Sequence, residues 1–207
     1  MTLQSIQPND RLLLAGKTGS GKTWFARQML AGLTRLVVID PKMLLGDDWN
    51  IQQPNRLDWL SLQRGNRGRF HIIPPIIDNL PLWYEELFAQ LYRIGDLTIY
   101  IDETYAVSPP GSKPGKWLTA LYTRGRELGI GVWAATQRPA WIPLFFSSEA
   151  DWLAMFRLNL EVDRDRLSGI AGQSVLGRIP DLHGFWLYHV GDDNAVYYSE
   201  ATEKERG

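Results

Sequence analysis

The octapeptide GKTGSGKT, residues 16–23, sets glycines, hydroxyls and a lysine at the spacing G-x-x-x-x-G-K-[ST]. Gly16, Gly21, Lys22 and Thr23 hold the fixed positions, with Lys17, Thr18, Gly19 and Ser20 between them. Glycines let the backbone curl so that successive N–H groups face a phosphate, and a helix N-terminus behind the loop adds positive potential. A lysine at the position of Lys22 reaches the β- and γ-phosphates, and a hydroxyl at Thr23 ligates Mg²⁺. The chemistry implied is binding of a nucleoside triphosphate, ATP with Mg²⁺.

Two further stretches indicate what happens to the phosphate. LTIYIDET, residues 97–104, runs an apolar segment into Asp102 and Glu103. Asp102 at a strand tip is placed to hold the Mg²⁺ shell beside Thr23, and Glu103 to orient and deprotonate a water aimed at the γ-phosphate. A small-molecule kinase gains nothing from the second carboxylate, because activating water wastes its ATP. GVWAATQRP, residues 131–139, is an apolar run that ends on an amide and a guanidinium. If this strand lies beside the Asp102 strand, Thr136 and Gln137 meet the γ-phosphate, and Gln137 can report its loss.

The surrounding pattern supplies elements to carry these tips. Strands are expected at 11–15, 35–40, 69–73, 97–102, 130–136 and 151–156. A helix is expected from Lys22 to about Ala31 and another from about Pro81 to Arg93, with proline early where no amide hydrogen is needed. GFWLYHV and AVYYS flank GDDN, a hairpin signal. Strands apolar on both faces and separated by helices indicate a mostly parallel sheet covered on both sides, here with an antiparallel edge. In such sheets ligands sit beyond the carboxyl ends of the strands. One domain over residues 1–207 is expected, with about 200–207 as a frayed tail.

Bulk properties narrow the class. With 207 residues, 44% apolar and 22% charged, the chain can bury a sizeable core. No apolar run reaches the roughly 18 residues that span a bilayer, so an integral membrane protein is not expected. The absence of cysteine excludes disulfides and thiolate metal sites. His71, His183 and His189 show no ligand spacing. A net charge of −1 gives no global attraction to nucleic acid, so any contact with DNA must come from local basic loops. Nine tryptophans are read as packing residues in preference to base-stacking ones.

Four segments together resemble the FtsK/HerA superfamily of RecA-like P-loop ATPases. They are GKTGSGKT, VVIDPKM (37–43), IYIDE (99–103) and GRELGIGVWAATQRP (125–139), and the likeness extends over most of residues 11–190. The membrane anchor, DNA-orienting domain and winged-helix tail of cellular FtsK are not expected in the chain. In that it is similar to the genome-packaging ATPases of double-stranded-DNA viruses with an internal membrane.

The resemblance implies a ring, usually a hexamer, with double-stranded DNA in its channel and a capsid vertex or portal as docking partner. The expected location is host cytoplasm or virion. It also implies a trans-acting arginine finger in TRGREL, with Arg126 first and Arg124 as alternate; Arg138 more naturally anchors its own loop. Sequence-independent phosphate contacts are implied for the loop VSPPGSKPGK (107–116), through Lys113 and Lys116. RGNRGRF (64–70), with Arg64, Arg67 and Arg69, is a second candidate. Three alternatives stay open: a cellular or plasmid DNA-pumping relative, a P-loop small-molecule kinase, and a nucleotide-binding assembly switch that barely hydrolyses.

Overall fold

The computed structural model describes residues 6–172, 184–191 and 194–199. An eight-stranded sheet runs in the order β3-β2-β4-β5-β1-β6-β7-β8. Its strands are β1 (Arg11–Ala15), β2 (Arg35–Ile39), β3 (Gly68–Ile72), β4 (Leu97–Ile101), β5 (Ile130–Thr136), β6 (Trp152–Met155), β7 (Gly184–His189) and β8 (Asn194–Ser199). The pairs from β3 to β6 are parallel, and β6–β7 and β7–β8 are antiparallel. The expected α/β fold with a closing hairpin is therefore present. Strand ends differ from the sequence expectation by one residue, with β3 at 68–72 and β6 at 152–155. His183 and the segment 200–207 lie outside the described residues.

The helices are α1 (Lys22–Leu30), α2 (Arg56–Gln63), α3 (Leu80–Ile94), α4 (Thr104–Val107), α5 (Lys116–Arg124), α6 (Phe145–Ser148) and α7 (Glu161–Ala171). Successive strand residues point to opposite faces, and both faces are apolar. Leu13, Val37, Ile99, Val132 and Leu153 pack with Phe88, Leu121 and Leu167 from α3, α5 and α7. Leu12, Leu14, Val38, Tyr100 and Trp133 pack with Phe25 and Leu30 of α1. Each large apolar side chain removed from water contributes roughly 1.5–3 kcal/mol, and this two-sided burial makes the strands read as continuous apolar runs. Trp49, Trp133 and Trp152 are buried in the α1-side core, in keeping with a packing role.

Register positions the site. Ala15 pairs with Thr136, Ile101 with Ala134, and Ile39 with Ile101. The carboxyl ends of β2, β4, β5 and β1 thus finish on one rim, with β5 between the strand that feeds the glycine loop and the strand that ends in Asp102. Adjacency of β5 and β4 was the condition on which Gln137 could meet the acidic tip.

Candidate nucleotide site

The glycine loop leaves β1 pinned on both sides. Gly16 N–H donates to the Thr136 carbonyl at 3.1 Å, and Lys17 N–H to the Arg157 carbonyl at 2.9 Å. A Cβ on Gly16 would stand 2.5 Å from Phe156 Cβ, so only glycine admits this approach of the loop to the end of β6. Gly21, with φ 98°, is the N-cap of α1, a left-handed conformation that favours glycine. The first turn of α1 carries no acidic residue, leaving its positive end uncompensated.

Lys22 follows at the head of α1 and is buried. Its Nζ donates to the carbonyls of Gly16 at 2.6 Å and Lys17 at 3.0 Å. Burial lowers its pKa to about 8, against the carboxylates of Glu103 and Asp102, which pull it upward. The lysine is folded onto its own loop, and a triphosphate offers it better partners.

Asp102 and Glu103 part company immediately after β4. Asp102 shares a face with Tyr100, whose hydroxyl donates to its Oδ1 at 2.9 Å. Burial raises the Asp102 pKa, with the Tyr100 hydrogen bond opposing that shift. Tyr100 is stacked against Trp49, with ring centroids 5.4 Å apart, so the donor is held rigidly. Glu103 is 1% exposed. Its Oε2 accepts from Lys42 Nζ at 2.6 Å, while Oε1 is buried without a hydrogen-bond partner.

Lys42 comes from the IDPK turn after β2, the neighbour of β4. Buried Asp40 shapes that turn, accepting from Lys42 N–H at 3.2 Å and Leu45 N–H at 3.0 Å. His71 Nε2 lies 3.1 Å from Asp40 Oδ2. Nothing in the local pattern of IDPK indicates a role for Lys42, whose partner lies 61 residues away.

At the tip of β5, Thr136 is fully buried and Thr104 Oγ1 donates to the Ala135 carbonyl at 2.8 Å, tying α4 to β5. Gln137 Oε1 accepts from Thr18 Oγ1 at 2.7 Å, a direct link between this tip and the glycine loop. Arg138 turns away, donating to Asp163 Oδ2 at 2.8 Å and lying 4.1 Å from the Trp141 ring centroid. Asp163 Oδ1 also accepts from Ala140 N–H at 3.1 Å. Arg138 is thus a loop anchor. Its acceptor Asp163 is buried in α7, and no motif in the sequence marks it as a partner of Arg138.

Lys22, Asp102, Glu103 and Gln137 therefore converge on one rim with the loop Gly16–Thr23. The donors suited to Mg²⁺ are the exposed Thr23 hydroxyl at the start of α1 and the Asp102 carboxylate on the α1 face. Hard oxygens of this kind, completed by waters and phosphate oxygens, fit that ion.

Other expected positions lie elsewhere. Arg126 pairs with Asp151 at 2.5 Å and Asp10 at 3.5 Å, residues that precede β6 and β1 at the opposite end of the sheet. Exposed Arg124, at the same end, has neither hydrogen bond nor ion pair among the described residues. Exposed Lys113 lies in the connection between α4 and α5. Lys116, expected in that loop, is the first residue of α5 and sits 5.1 Å from the Trp117 ring centroid. Arg64 and Arg67 are exposed before β3, again at the amino ends of the strands. Arg69 is not available to DNA. Its guanidinium donates to the carbonyls of Leu30, Leu33, Trp49 and Asn50, stapling the end of α1 to the sheet edge.

No protein-family model matches the chain. It is 30% identical to DNA packaging ATPase P9 of Enterobacteria phage PRD1, over 95% of this chain and 89% of that protein. Among solved structures it is similar to the genome packaging NTPase B204 from Sulfolobus turreted icosahedral virus 2 in complex with ATP-gammaS. That match has a TM-score of 0.79 at 17% identity, covering 95% of this chain and all of that one. The pCW3 conjugation coupling protein TcpA matches at TM-score 0.60 and 16% identity, over 92% of this chain and 60% of that chain.

Proposed function

The chain belongs to the viral DNA-packaging ATPase family that includes P9 of phage PRD1, and from that membership we propose how its rim of residues drives a genome into a capsid. The observation that carries the reading is the convergence of Lys22, Asp102, Glu103 and Gln137 over the glycine loop. Amides of Lys17–Gly21 and the head of α1 hold the phosphates, and Lys22 exchanges its two carbonyls for β- and γ-oxygens. Thr23 and Asp102 would hold Mg²⁺, which would supply positive charge against the phosphates. Glu103 takes a proton from the attacking water. Gln137 exchanges Thr18 for the γ-phosphate and returns when phosphate leaves, so the state of the site reaches Arg138, Asp163 and α7.

The motor acts as a ring, a hexamer by family resemblance, on double-stranded DNA. It works during virion assembly in the host cytoplasm, docked on a capsid vertex or portal. No helix among the described residues is long and apolar enough to cross a membrane. The trans-acting arginine is Arg124, since Arg126 is committed to Asp151 and Asp10. Mixing inactive Arg124→Ala with inactive Glu103→Gln subunits is expected to restore measurable turnover, because some boundaries then pair an intact finger with an intact base. Mixtures no more active than either variant would remove Arg124 from that role.

Lys113 and Lys116 contact DNA phosphates without reading sequence. Their joint change to Ala is expected to lower the ratio of DNA-stimulated to DNA-free turnover several-fold, with a shallower salt dependence. The function itself is tested by phosphate release with and without duplex DNA. Turnover indifferent to DNA would remove the motor reading, and a phosphorylated acceptor in place of free phosphate would favour the kinase. The site favours hydrolysis over the kinase because its second carboxylate is buried where a water would be activated.

A further inference from the structure

Half of the Glu103 carboxylate is not free to act as a general base. One carboxylate oxygen is hydrogen-bonded to the Lys42 ammonium at 2.6 Å, and the other is enclosed in protein without a partner. At 1% exposure the carboxylate cannot turn into bulk water for a replacement. While the pair is closed, the Lys42 ammonium holds one of the two oxygens that could accept from the attacking water.

Lys42 is built differently. Its backbone is fixed, because Asp40 accepts from its N–H and from that of Leu45, and His71 holds Asp40 from β3. Its side chain is 29% exposed, against 2% for Glu103. The ammonium has three donors, and Glu103 uses one of them. It is also close enough to Lys22 and Asp102 for its charge to act on both. A cation that is fixed at its base, free at its tip and beside the phosphate lysine is suited to bind a second anion.

We propose that Lys42 is a γ-phosphate ligand that leaves Glu103 when ATP binds, so that arrival of the substrate releases the base. This deepens the ATPase reading and rests on it. In the empty site the ammonium and carboxylate neutralise each other. When ATP enters, the ammonium moves to a γ-phosphate oxygen and Glu103 is left facing the water. Glu103 accepts a proton from that water as its oxygen bonds to the γ-phosphorus. The bond from phosphorus to the bridging oxygen breaks, and ADP keeps the electron pair. The proton passes to solvent with the departing phosphate, and Lys42 closes on Glu103 again. ADP, lacking the third phosphate, leaves the pair closed, so an idle subunit does not spend nucleotide.

The test is the affinity of the whole chain for ATPγS and for ADP, measured by calorimetry. Lys42→Met is expected to weaken ATPγS about tenfold, the loss of roughly one charge-assisted contact, while ADP affinity changes less than about twofold. Lys42→Arg, which keeps the charge, is expected to recover part of the preference for ATPγS. A purely structural lysine would weaken both nucleotides alike, and that result would overturn the proposal, as would no change in either. Lys42→Met strands a buried carboxylate, so the double variant Lys42→Met/Glu103→Gln, which leaves no unpaired charge, is compared with Glu103→Gln alone. The same selective loss of ATPγS is expected there, and an unchanged preference overturns the proposal even if the single variant does not fold. A wild-type chain that fails to hydrolyse ATP would instead defeat the ATPase reading.

Discussion

Glu103→Gln is expected to lower ATP turnover by at least about 100-fold, the usual contribution of a positioned general base, while the protein still binds ATP and folds. Three features separate these effects. The Glu103 carboxylate is hydrogen-bonded to Lys42 and not to the glycine loop, so the loop Gly16–Thr23 keeps its bonds and loses only the pull of that charge on Lys22. Gln has the size of Glu and its amide oxygen can still accept from Lys42, so the buried position stays filled. Gln is also neutral, which removes the cost of holding a carboxylate at 1% exposure. The melting temperature is therefore expected to hold or rise while hydrolysis collapses. Single-turnover phosphate release beside a nucleotide-binding titration checks both parts. Turnover within a few-fold of wild type would take Glu103 out of the chemistry. A loss of binding equal to the loss of turnover would make it a structural residue.

The parts of the site legible in the sequence are those where chemistry restricts both residue type and spacing. A phosphate cradle needs glycines at set intervals, and two adjacent carboxylates at a strand end have few other uses beside one. Gln137 was legible only through an assumption about strand order, which the placement of β5 between β4 and β1 satisfies. Long-range pairing was not legible. Lys42, Asp163 and Arg69 find their partners through the parallel crossovers, and their neighbours in sequence carry no trace of them. Arg69 shows the difficulty plainly. In RGNRGRF it reads as part of a basic loop, yet its position in the edge strand β3 brings it under five carbonyls, those of Leu30, Ala31 and Leu33 at the end of α1 and of Trp49 and Asn50. The helices at 56–63 and 116–124 were also not assigned, because eight or nine residues show barely two turns of periodicity and, unlike α1, neither follows a phosphate-loop motif. The second of them begins on Lys116, which moves that lysine from a free loop to a helix start.

Gly131 carries the largest expected effect on stability, and its constraint too is invisible locally. In GIGVWAAT it reads as a neutral small residue inside a buried strand. In the fold, residues 6–10 cross beneath β4 and β5, and a Cβ on Gly131 would stand 1.9 Å from the Pro8 carbonyl oxygen and 3.0 Å from Asn9 Cα. Both obstacles are backbone, so no side-chain rotation relieves the clash. The crossing segment would have to lift, and with it a set of buried bonds. Thr98 Oγ1 donates to the same Pro8 carbonyl at 2.7 Å, Val132 N–H to the Asp10 carbonyl at 3.2 Å, and Trp152 Nε1 to Asp10 Oδ2 at 3.0 Å. Overpacking alone costs about 1–3 kcal/mol, and each buried bond lost adds roughly 1 kcal/mol. Gly131→Ala is therefore expected to destabilise the chain by about 4 kcal/mol, a large share of a stability of about 5–15 kcal/mol. For a chain of this length that lowers the melting temperature by on the order of 10 °C. The damage lies at the far end of β5 from Gln137, so below the melting transition ATP affinity should stay close to wild type. Calorimetric melting with a nucleotide titration on the same sample reads both quantities. A melting temperature within two or three degrees of wild type, on the same scale, would mean that residues 6–10 do not pass under the sheet as described.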